Sequence, residues 1–224
     1  MINGNQFLST LWSDIEHIHA AVLAHPFITG LSDGTLPRAA FRHFITQDAH
    51  YLRDYARVLA LCATKAHHDA DVTMFAAHSA NAVAAEQELH ASLLAELGTS
   101  ATAAAAEPIT PTTVAYTSYL LASAYRGSYA EAVGAVLPCY WLYARVGAHL
   151  RSAGSPDPLY ARWIDAYADP AFQSVTDQVL AATARLAEES SPAEHALIRK
   201  HNHTAGRHEY LFWDAAWRLE QWPV

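Results

Sequence analysis

The run Leu137-Pro138-Cys139-Tyr140-Trp141-Leu142-Tyr143 lies in an apolar stretch, residues 129–152, that the spacing of its hydrophobic side chains predicts to be a helix. Cys139 and Tyr143 are four residues apart, so they share one face of that helix. Proline is tolerated in the first turn of a helix, and Pro138 therefore predicts that Cys139 lies near the positive end of a helix dipole, which favours a thiolate. Cys139 is a candidate nucleophile, and the alternative is that it is a small buried hydrophobic residue.

The same helical periodicity extends outward from this run over nearly the whole chain. Alanine, leucine and glutamate dominate, and no two segments of alternating hydrophobicity are joined by a tight turn. The sequence therefore predicts an all-α protein, a single-domain helical bundle, with a turn at residues 33–37 and a loop at residues 98–111. The predicted helices cover residues 6–24, 38–65, 71–97, 112–125, 129–152, 158–167, 170–189 and 192–217.

Composition limits the number of domains and the kinds of partner. The 224 residues are 52% hydrophobic and 16% charged, which predicts one domain over residues 1–224 with a sizeable core. The net charge is -8 and no run of Lys or Arg occurs, which argues against nucleic acid or an anionic membrane as the main partner. The N-terminus has no signal-peptide pattern and no apolar stretch is long enough to span a bilayer, so we expect a cytoplasmic protein. With only Cys62 and Cys139, a disulfide framework is excluded and free thiols are expected.

Two carboxylates lie on helix faces that should be apolar. Asp48 falls in an aromatic stripe of the second predicted helix, and Glu209 shares a face of the last one with Phe212 and Trp213. An ionised carboxylate buried without a partner costs several kcal/mol or has its pKa raised. Each could instead bind an arginine, a backbone group or a tyrosine hydroxyl in the core. Two inward carboxylates together with an inward cysteine favour a functional site, because perturbed titratable groups cluster at such sites.

Tyrosines from four predicted helices accompany these groups, and each lies beside an apolar face. They are Tyr51, Tyr116, Tyr143 and Tyr167. Aromatic residues at helical spacing usually belong to the core. A cavity lined by phenol rings would instead suit a flat heteroaromatic ligand, which stacks on the rings and forms hydrogen bonds at its edge.

The sequence resembles the TenA/thiaminase II family, whose fold is of the heme-oxygenase-like type. The most specific matching runs are Phe44-Ile45-Thr46-Gln47-Asp48 and the 137–143 run. The matching runs follow the family's order across nearly the whole chain. The others are His25-Pro26-Phe27, Asp33-Gly34-Thr35-Leu36-Pro37, Tyr51-Leu52, Ala115-Tyr116-Thr117-Ser118, residues 160–163 with Tyr167, and Glu209-Tyr210-Leu211-Phe212-Trp213.

The resemblance implies hydrolysis at the methylene carbon of a substituted aminopyrimidine, releasing the hydroxymethylpyrimidine that is reused for thiamin synthesis. The substrate would be thiamin or an amine formed by its degradation in base. Carried over by motif, Cys139 would be the nucleophile, Glu209 the acid at the ring, and Asp48 the carboxylate that holds the exocyclic amine. The pocket residues that the resemblance implies are Tyr51, Tyr116, Tyr143, Tyr167 and Phe212.

These residue types suit that chemistry. A thiolate adds to the unsubstituted ring carbon, the adduct expels the leaving group, and water then adds at the methylene. A carboxyl group with a raised pKa, as burial of Glu209 would produce, protonates the adjacent ring nitrogen. Asp48 should stay ionised to accept hydrogen bonds from the amine, but its charge would raise the pKa of the Cys139 thiol unless it also takes the thiol proton.

Two positions depart from the family pattern. His208 stands where another aromatic residue is expected, and Ala215 replaces a larger apolar residue. Neither change removes a reacting group, but both leave the shape of the pocket and its substrate preference open.

A metal-dependent oxygenase or oxidase on the same scaffold is the first rival, because the chain has 14 histidines with Glu16-x-x-His19 and Glu86-x-x-x-His90. A carboxylate-bridged di-iron site typically needs two Glu-x-x-His pairs, and only one is present, so we expect no metal and no cofactor. Glu86 and His90 are interpreted as an intrahelical pair or a buried structural contact. Most of a further nine histidines are expected at the surface. They are His17, His43, His50, His67, His68, His78, His195, His201 and His203.

The second rival is a regulator that binds thiamin or a pyrimidine without turning it over, although binding alone needs no thiol. Self-association is expected in either case, because the aromatic load, which includes Trp12, Trp217 and Trp222, is large for one helical domain. The family resemblance implies a homotetramer.

Overall fold

The computed structural model describes residues 3–85 and 89–224. Within these residues the regular secondary structure is helical, and no strand is present. The all-α prediction is confirmed. The helices are α1 (Gly4–Leu23), α2 (Pro26–Asp33), α3 (Arg38–Lys65), α4 (Asp69–Ala85), α5 (Ala91–Glu96), α6 (Ala101–Ala105), α7 (Pro111–Arg126), α8 (Tyr129–Arg151), α9 (Pro158–Ala168), α10 (Pro170–Glu189) and α11 (Pro192–Trp217).

Capping explains why most helices begin where the sequence predicts. Ser128 and Ser191 each accept a hydrogen bond from the backbone of a glutamate three residues later, whose side chain accepts one from the serine N–H in return. Proline occupies the first turn of α2, α7, α9, α10 and α11, where its missing N–H has no helical partner to lose.

Three segments differ from the prediction. The expected helix at residues 71–97 is seen as α4 and α5, separated by a stretch that includes undescribed residues. The helix α2 was not predicted; His25 caps it by accepting the Phe27 N–H at Nδ1, and Gly34 ends it with φ +78°, which glycine adopts without strain. The short α6 lies inside the expected loop, where the Ser100 side chain caps it.

Pro138 lies in the interior of α8, so the prediction that it marks a helix start is wrong. Interior proline removes one helical hydrogen bond, here to the Gly134 carbonyl, and crowds that carbonyl. The helix continues because most side chains in the turns around the proline are buried, with Leu137 and Leu142 both at 0% exposure. At Gly134 a Cβ would lie 2.7 Å from the Ile198 carbonyl oxygen, so the absence of a side chain lets α8 approach α11 closely.

The three long helices α3, α8 and α11 pack against one another at the centre of the molecule. Buried side chains from these and the surrounding helices form a continuous hydrophobic cluster. The same three helices carry Asp48, Cys139 and Glu209, so the bundle brings the three candidate reacting groups to its interior. None of the helices in residues 3–85 and 89–224 combines the length and hydrophobicity needed to cross a bilayer.

Candidate active site

Glu209 is buried, at 1% exposure, with its carboxyl group inside the bundle. The Tyr116 hydroxyl donates a hydrogen bond of 2.6 Å to Glu209 Oε1. Burial raises the pKa of Glu209 to about 8, with a further rise from the charge of Asp48 and an opposing effect of the Tyr116 hydrogen bond. The predicted raised pKa is therefore confirmed. A carboxyl group in this state is mostly protonated at neutral pH and can donate a proton to a bound ring.

Cys139 lies in the middle of α8 and receives no support from a helix N-terminus. Burial first, and then the charges of Glu209 and Asp48, raise the pKa of its thiol well above the ordinary value, while the Tyr51 and Tyr55 hydroxyls act in the opposite direction. The expectation that its environment favours a thiolate is therefore wrong. The residue keeps some accessible surface although protein atoms surround the thiol.

Asp48 is 3% exposed, and a histidine from a distant part of the chain lies beside its carboxyl group. His90 Nε2 lies 3.1 Å from Asp48 Oδ2. The ring N–H is not aimed closely enough at the oxygen to form a hydrogen bond, and Oδ2 has no other partner among the described residues. The sequence indicated that His90 is buried or paired within its helix, but no spacing connected it with Asp48. Glu86, the expected helical partner, lies outside the described residues.

Aromatic rings surround these polar groups on one side. Tyr51 on α3 lies 5.0 Å from Tyr116 on α7 and 5.7 Å from Phe212 on α11, measured between ring centres. Tyr143 and Tyr167, from α8 and α9, are 4.9 Å apart. Asp48, Cys139 and Glu209 all raise the pKa of Tyr167, after burial, so this tyrosine faces the polar groups. The structure thus brings the predicted pocket tyrosines together from four helices.

Tryptophans and a histidine extend this wall. The Trp213 ring lies 4.9 Å from Tyr143, and the Trp163 ring lies 4.6 Å from Tyr167. The sequence placed Trp213 on the same face as Glu209, whereas Trp163 was not predicted to line the site. His208 stacks on Tyr116 at 5.0 Å with a 7° angle between the ring planes, so it supplies the flat ring expected at that position.

Several buried polar atoms in this region have no hydrogen-bond partner among residues 3–85 and 89–224. They are Asp48 Oδ2, Tyr51 OH, His90 Nδ1, Trp163 Nε1 and Trp213 Nε1. Buried polar groups are nearly always paired, and an unpaired one is costly. A cluster of them among stacked rings is the expected lining of a site for a flat ligand with polar edges.

The histidines do not assemble a metal centre in the part of the chain described. There, no group of three or more His, Cys, Asp or Glu side chains could hold a metal ion. Glu16, of the single Glu-x-x-His pair, is exposed. The expectation that most of the nine named histidines lie at the surface is wrong, since only His17, His67 and His68 are exposed. The other six are partly or fully buried.

Residues 12–219 match the model of the TENA/THI-4/PQQC family. The chain is similar to the aminopyrimidine aminohydrolase of Halalkalibacterium halodurans, with 34% identity over 96% of this chain and 97% of that protein. It is also similar to the solved structure of a TenA family transcription regulator from Silicibacter sp. TM1040, at 29% identity and a TM-score of 0.86, covering 94% of this chain and 96% of that one. A Shewanella denitrificans domain described as having a heme oxygenase-like fold matches at 14% identity and a TM-score of 0.76, covering 95% of this chain and 92% of that domain. The fold of the present chain is therefore heme-oxygenase-like, as the resemblance implied.

Proposed function

Because the chain belongs to the TENA/THI-4/PQQC family, we propose that it is an aminopyrimidine aminohydrolase that acts on thiamin or on its base-degraded derivatives. The product is a hydroxymethylpyrimidine that returns to thiamin synthesis. The observation that carries the proposal is the Glu209 carboxyl group, whose pKa of about 8 keeps it mostly protonated beside a cysteine and a wall of tyrosines. The name and nearly full coverage of the Halalkalibacterium halodurans relative support the substrate class.

The reaction begins with the pyrimidine ring between the tyrosines and its exocyclic amine donating to Asp48. Cys139 sulfur forms a bond to the unsubstituted ring carbon, and the neighbouring ring nitrogen takes the proton of Glu209. Since burial and two nearby carboxyl groups hold the Cys139 proton in place at rest, the thiol loses it only as the bond forms, and Asp48 accepts it.

The dearomatised adduct then collapses in three steps. Its electron pair expels the leaving group from the methylene carbon as a neutral molecule, either the thiazole from the thiazolium of thiamin or the amine from a protonated aminomethyl group. Water adds to the exposed methylene carbon and gives a proton to Glu209, which is thereby restored. The bond from sulfur to the ring carbon breaks as the ring regains its aromaticity, Cys139 recovers its proton from Asp48, and the ring nitrogen releases its proton to solvent.

The test is direct product analysis. Purified protein is incubated separately with thiamin and with aminomethylpyrimidine, and hydroxymethylpyrimidine is quantified by mass spectrometry. We expect the product from at least one substrate, without added metal. Absence of product from both substrates would contradict the proposal. Activity that disappears with a chelator and returns with a metal ion would favour a metal-dependent oxygenase or oxidase.

A non-catalytic regulator is the second candidate, favoured by the description of the Silicibacter relative. The same site would then bind the pyrimidine without using the Cys139 thiol. Tight binding of hydroxymethylpyrimidine with no turnover of either substrate would support it over the hydrolase.

We also propose one domain over residues 1–224, a homotetramer and a cytoplasmic location. The continuous hydrophobic cluster supports one domain. Trp217 and Trp222 are 37% and 51% exposed, which supports a surface covered by another copy of the chain. Light scattering at micromolar concentration tests the assembly, and a persistent monomer would overturn it.

A further inference from the structure

We propose that His90 is a positioning residue, which orients the Asp48 carboxylate so that it receives the exocyclic amine of an aminopyrimidine. This inference rests on the proposed function and deepens it. Its basis is the 3.1 Å approach of His90 Nε2 to Asp48 Oδ2, between two side chains that are each 5% exposed.

The contact joins two elements that are distant in sequence. Asp48 projects from the middle of α3, whereas His90 lies directly before α5. His90 Nε2 lies within hydrogen-bonding distance of Oδ2, so a small rotation of the ring when a ligand binds would aim an Nε2 proton at the carboxyl oxygen and fix its orientation. Asp48 Oδ2 itself keeps acceptor capacity for a ligand, because it has no hydrogen bond within the described part of the chain.

A second buried aspartate shows what a purely structural carboxylate looks like in this molecule. Asp71 is 2% exposed, and its two oxygens are held by Arg185 at 2.5 Å and by the Tyr129 hydroxyl at 3.1 Å. Asp48 Oδ2 has no comparable hydrogen bond within residues 3–85 and 89–224, and no arginine or lysine there is paired with it. A carboxylate that is buried, incompletely partnered and beside a wall of aromatic rings has acceptor capacity for a donor from a ligand.

The imidazole is incompletely partnered as well. His90 Nδ1 is buried without a hydrogen bond among the described residues. The Asp48–His90 contact therefore leaves polar atoms unsatisfied on both sides, whereas a contact selected only for stability would be expected to satisfy them. A bound amine that donates to Asp48 would satisfy part of this deficit and draw the carboxylate toward the ring N–H.

The test uses a pair of amide variants of His90. A glutamine amide N–H can reach the position of Nε2, whereas the shorter asparagine amide corresponds to Nδ1 and places no N–H beside Asp48 Oδ2. Affinity is measured by calorimetry for hydroxymethylpyrimidine and for the same compound with hydrogen in place of the exocyclic amine. Turnover and KM are measured with the substrate that the wild-type protein accepts.

We expect His90→Asn to weaken binding of the aminopyrimidine by roughly 10-fold or more, and to raise KM more than it lowers kcat. Binding of the compound without the amine should be unchanged, and His90→Gln should restore most of the lost affinity. His201→Asn is the matched control, because His201 is also buried and has its Nε2 3.4 Å from a carboxylate, that of Glu131. It should change neither affinity. Circular dichroism checks folding, and His90→Leu replaces the asparagine variant if that variant does not fold.

Equal losses for the two ligands, or no loss in either His90 variant, would overturn the inference. Failure of the proposed function is recognised separately, because the wild-type protein itself would then give no product. A third outcome separates the two proposals. If the wild-type protein gives product, and His90→Asn still prefers the ligand with the amine as strongly as the wild-type protein does, the hydrolase proposal stands and His90 has no part in it.

Discussion

The two cysteines of this protein lie in two of the long helices that pack at the centre of the molecule, yet their surroundings differ. Cys62 on α3 is fully buried, and burial raises the pKa of its thiol to about 12, with a small opposing effect of the Lys65 charge. Cys139 on α8 keeps accessible surface and lies among tyrosine hydroxyls and the carboxyl groups of Glu209 and Asp48. Cys62 is enclosed by the core, whereas Cys139 lies among the groups proposed to form the active site.

The comparison shows that a raised thiol pKa does not by itself distinguish a structural cysteine from a reacting one. Both thiols are protonated at rest. What differs is whether a ligand can reach the sulfur and whether nearby groups can exchange protons as a bond forms. Of the two, only Cys139 combines some accessible surface with a nearby protonated acid, Glu209, and a second carboxyl group, Asp48.

Removing each thiol should produce the largest contrast. Cys139→Ala should lower turnover by at least ~1,000-fold, because the covalent step is lost, and should leave helicity unchanged. Cys62→Ala should keep turnover and lose about 1 kcal/mol of unfolding free energy from the small cavity it creates. Product analysis and urea unfolding measure the two effects. Similar loss of activity in both folded variants would contradict the distinction between the two sites.

Replacing the acid sharpens the same contrast. Glu209→Gln keeps the shape of the side chain but has no carboxyl proton to transfer, so turnover should fall by ~100-fold while binding of hydroxymethylpyrimidine largely survives. Asp48→Ala should weaken both binding and turnover. Calorimetry and steady-state kinetics on the two variants check this, and a Glu209→Gln protein with wild-type turnover would remove the acid from the mechanism.

The pKa of Glu209 predicts a pH profile for turnover. Because the reaction uses the protonated carboxyl group, kcat should fall about 10-fold per pH unit as the pH rises above about 8. Cys62→Ala should show the same profile, since Cys62 takes no part. An unchanged rate from pH 7 to pH 10 would show that another group donates the proton.

Stability should respond to the same proton. The pKa of Glu209 is raised from 4.5 to about 8 in the folded state, so the folded protein binds the proton more tightly than the unfolded chain. The stabilisation is fully present below about pH 4.5 and is lost as the pH rises through about 8, at a cost of roughly 4 kcal/mol. Glu209→Gln should therefore gain stability over the wild-type protein between pH 5 and pH 9. Denaturant unfolding at the two pH values measures that difference, and parallel changes in the two proteins would contradict it.

Capping residues and periodicity made most of the fold predictable. Prolines in first turns and the Ser-x-x-Glu boxes mark local events, so α10 and α11 begin and end at the predicted residues. The prediction that Pro138 marks a helix start was wrong because the free-energy cost of a proline inside α8 is offset by burial of the residues on both sides of it. That burial depends on tertiary packing, which the local sequence does not show.

The reacting groups and tyrosines of the candidate site were predictable from the sequence, but the contacts between them were not. Inward faces identified Asp48 and Glu209, and the matching runs identified Cys139 and the tyrosines. The contact of His90 with Asp48 and the lining role of Trp163 depend on packing between helices that are distant in sequence. No periodicity within one helix can report such contacts.

The most direct measurement is chemical modification of Cys139 in the Cys62→Ala protein, where it is the only remaining thiol. The protein is treated with iodoacetamide, and the labelled fraction, read by peptide mass spectrometry, is plotted against remaining hydrolytic activity. We expect activity to fall in direct proportion to labelling, and bound hydroxymethylpyrimidine to slow both equally. Full turnover by protein in which Cys139 is quantitatively labelled, or complete inactivation with Cys139 unlabelled, would contradict the account.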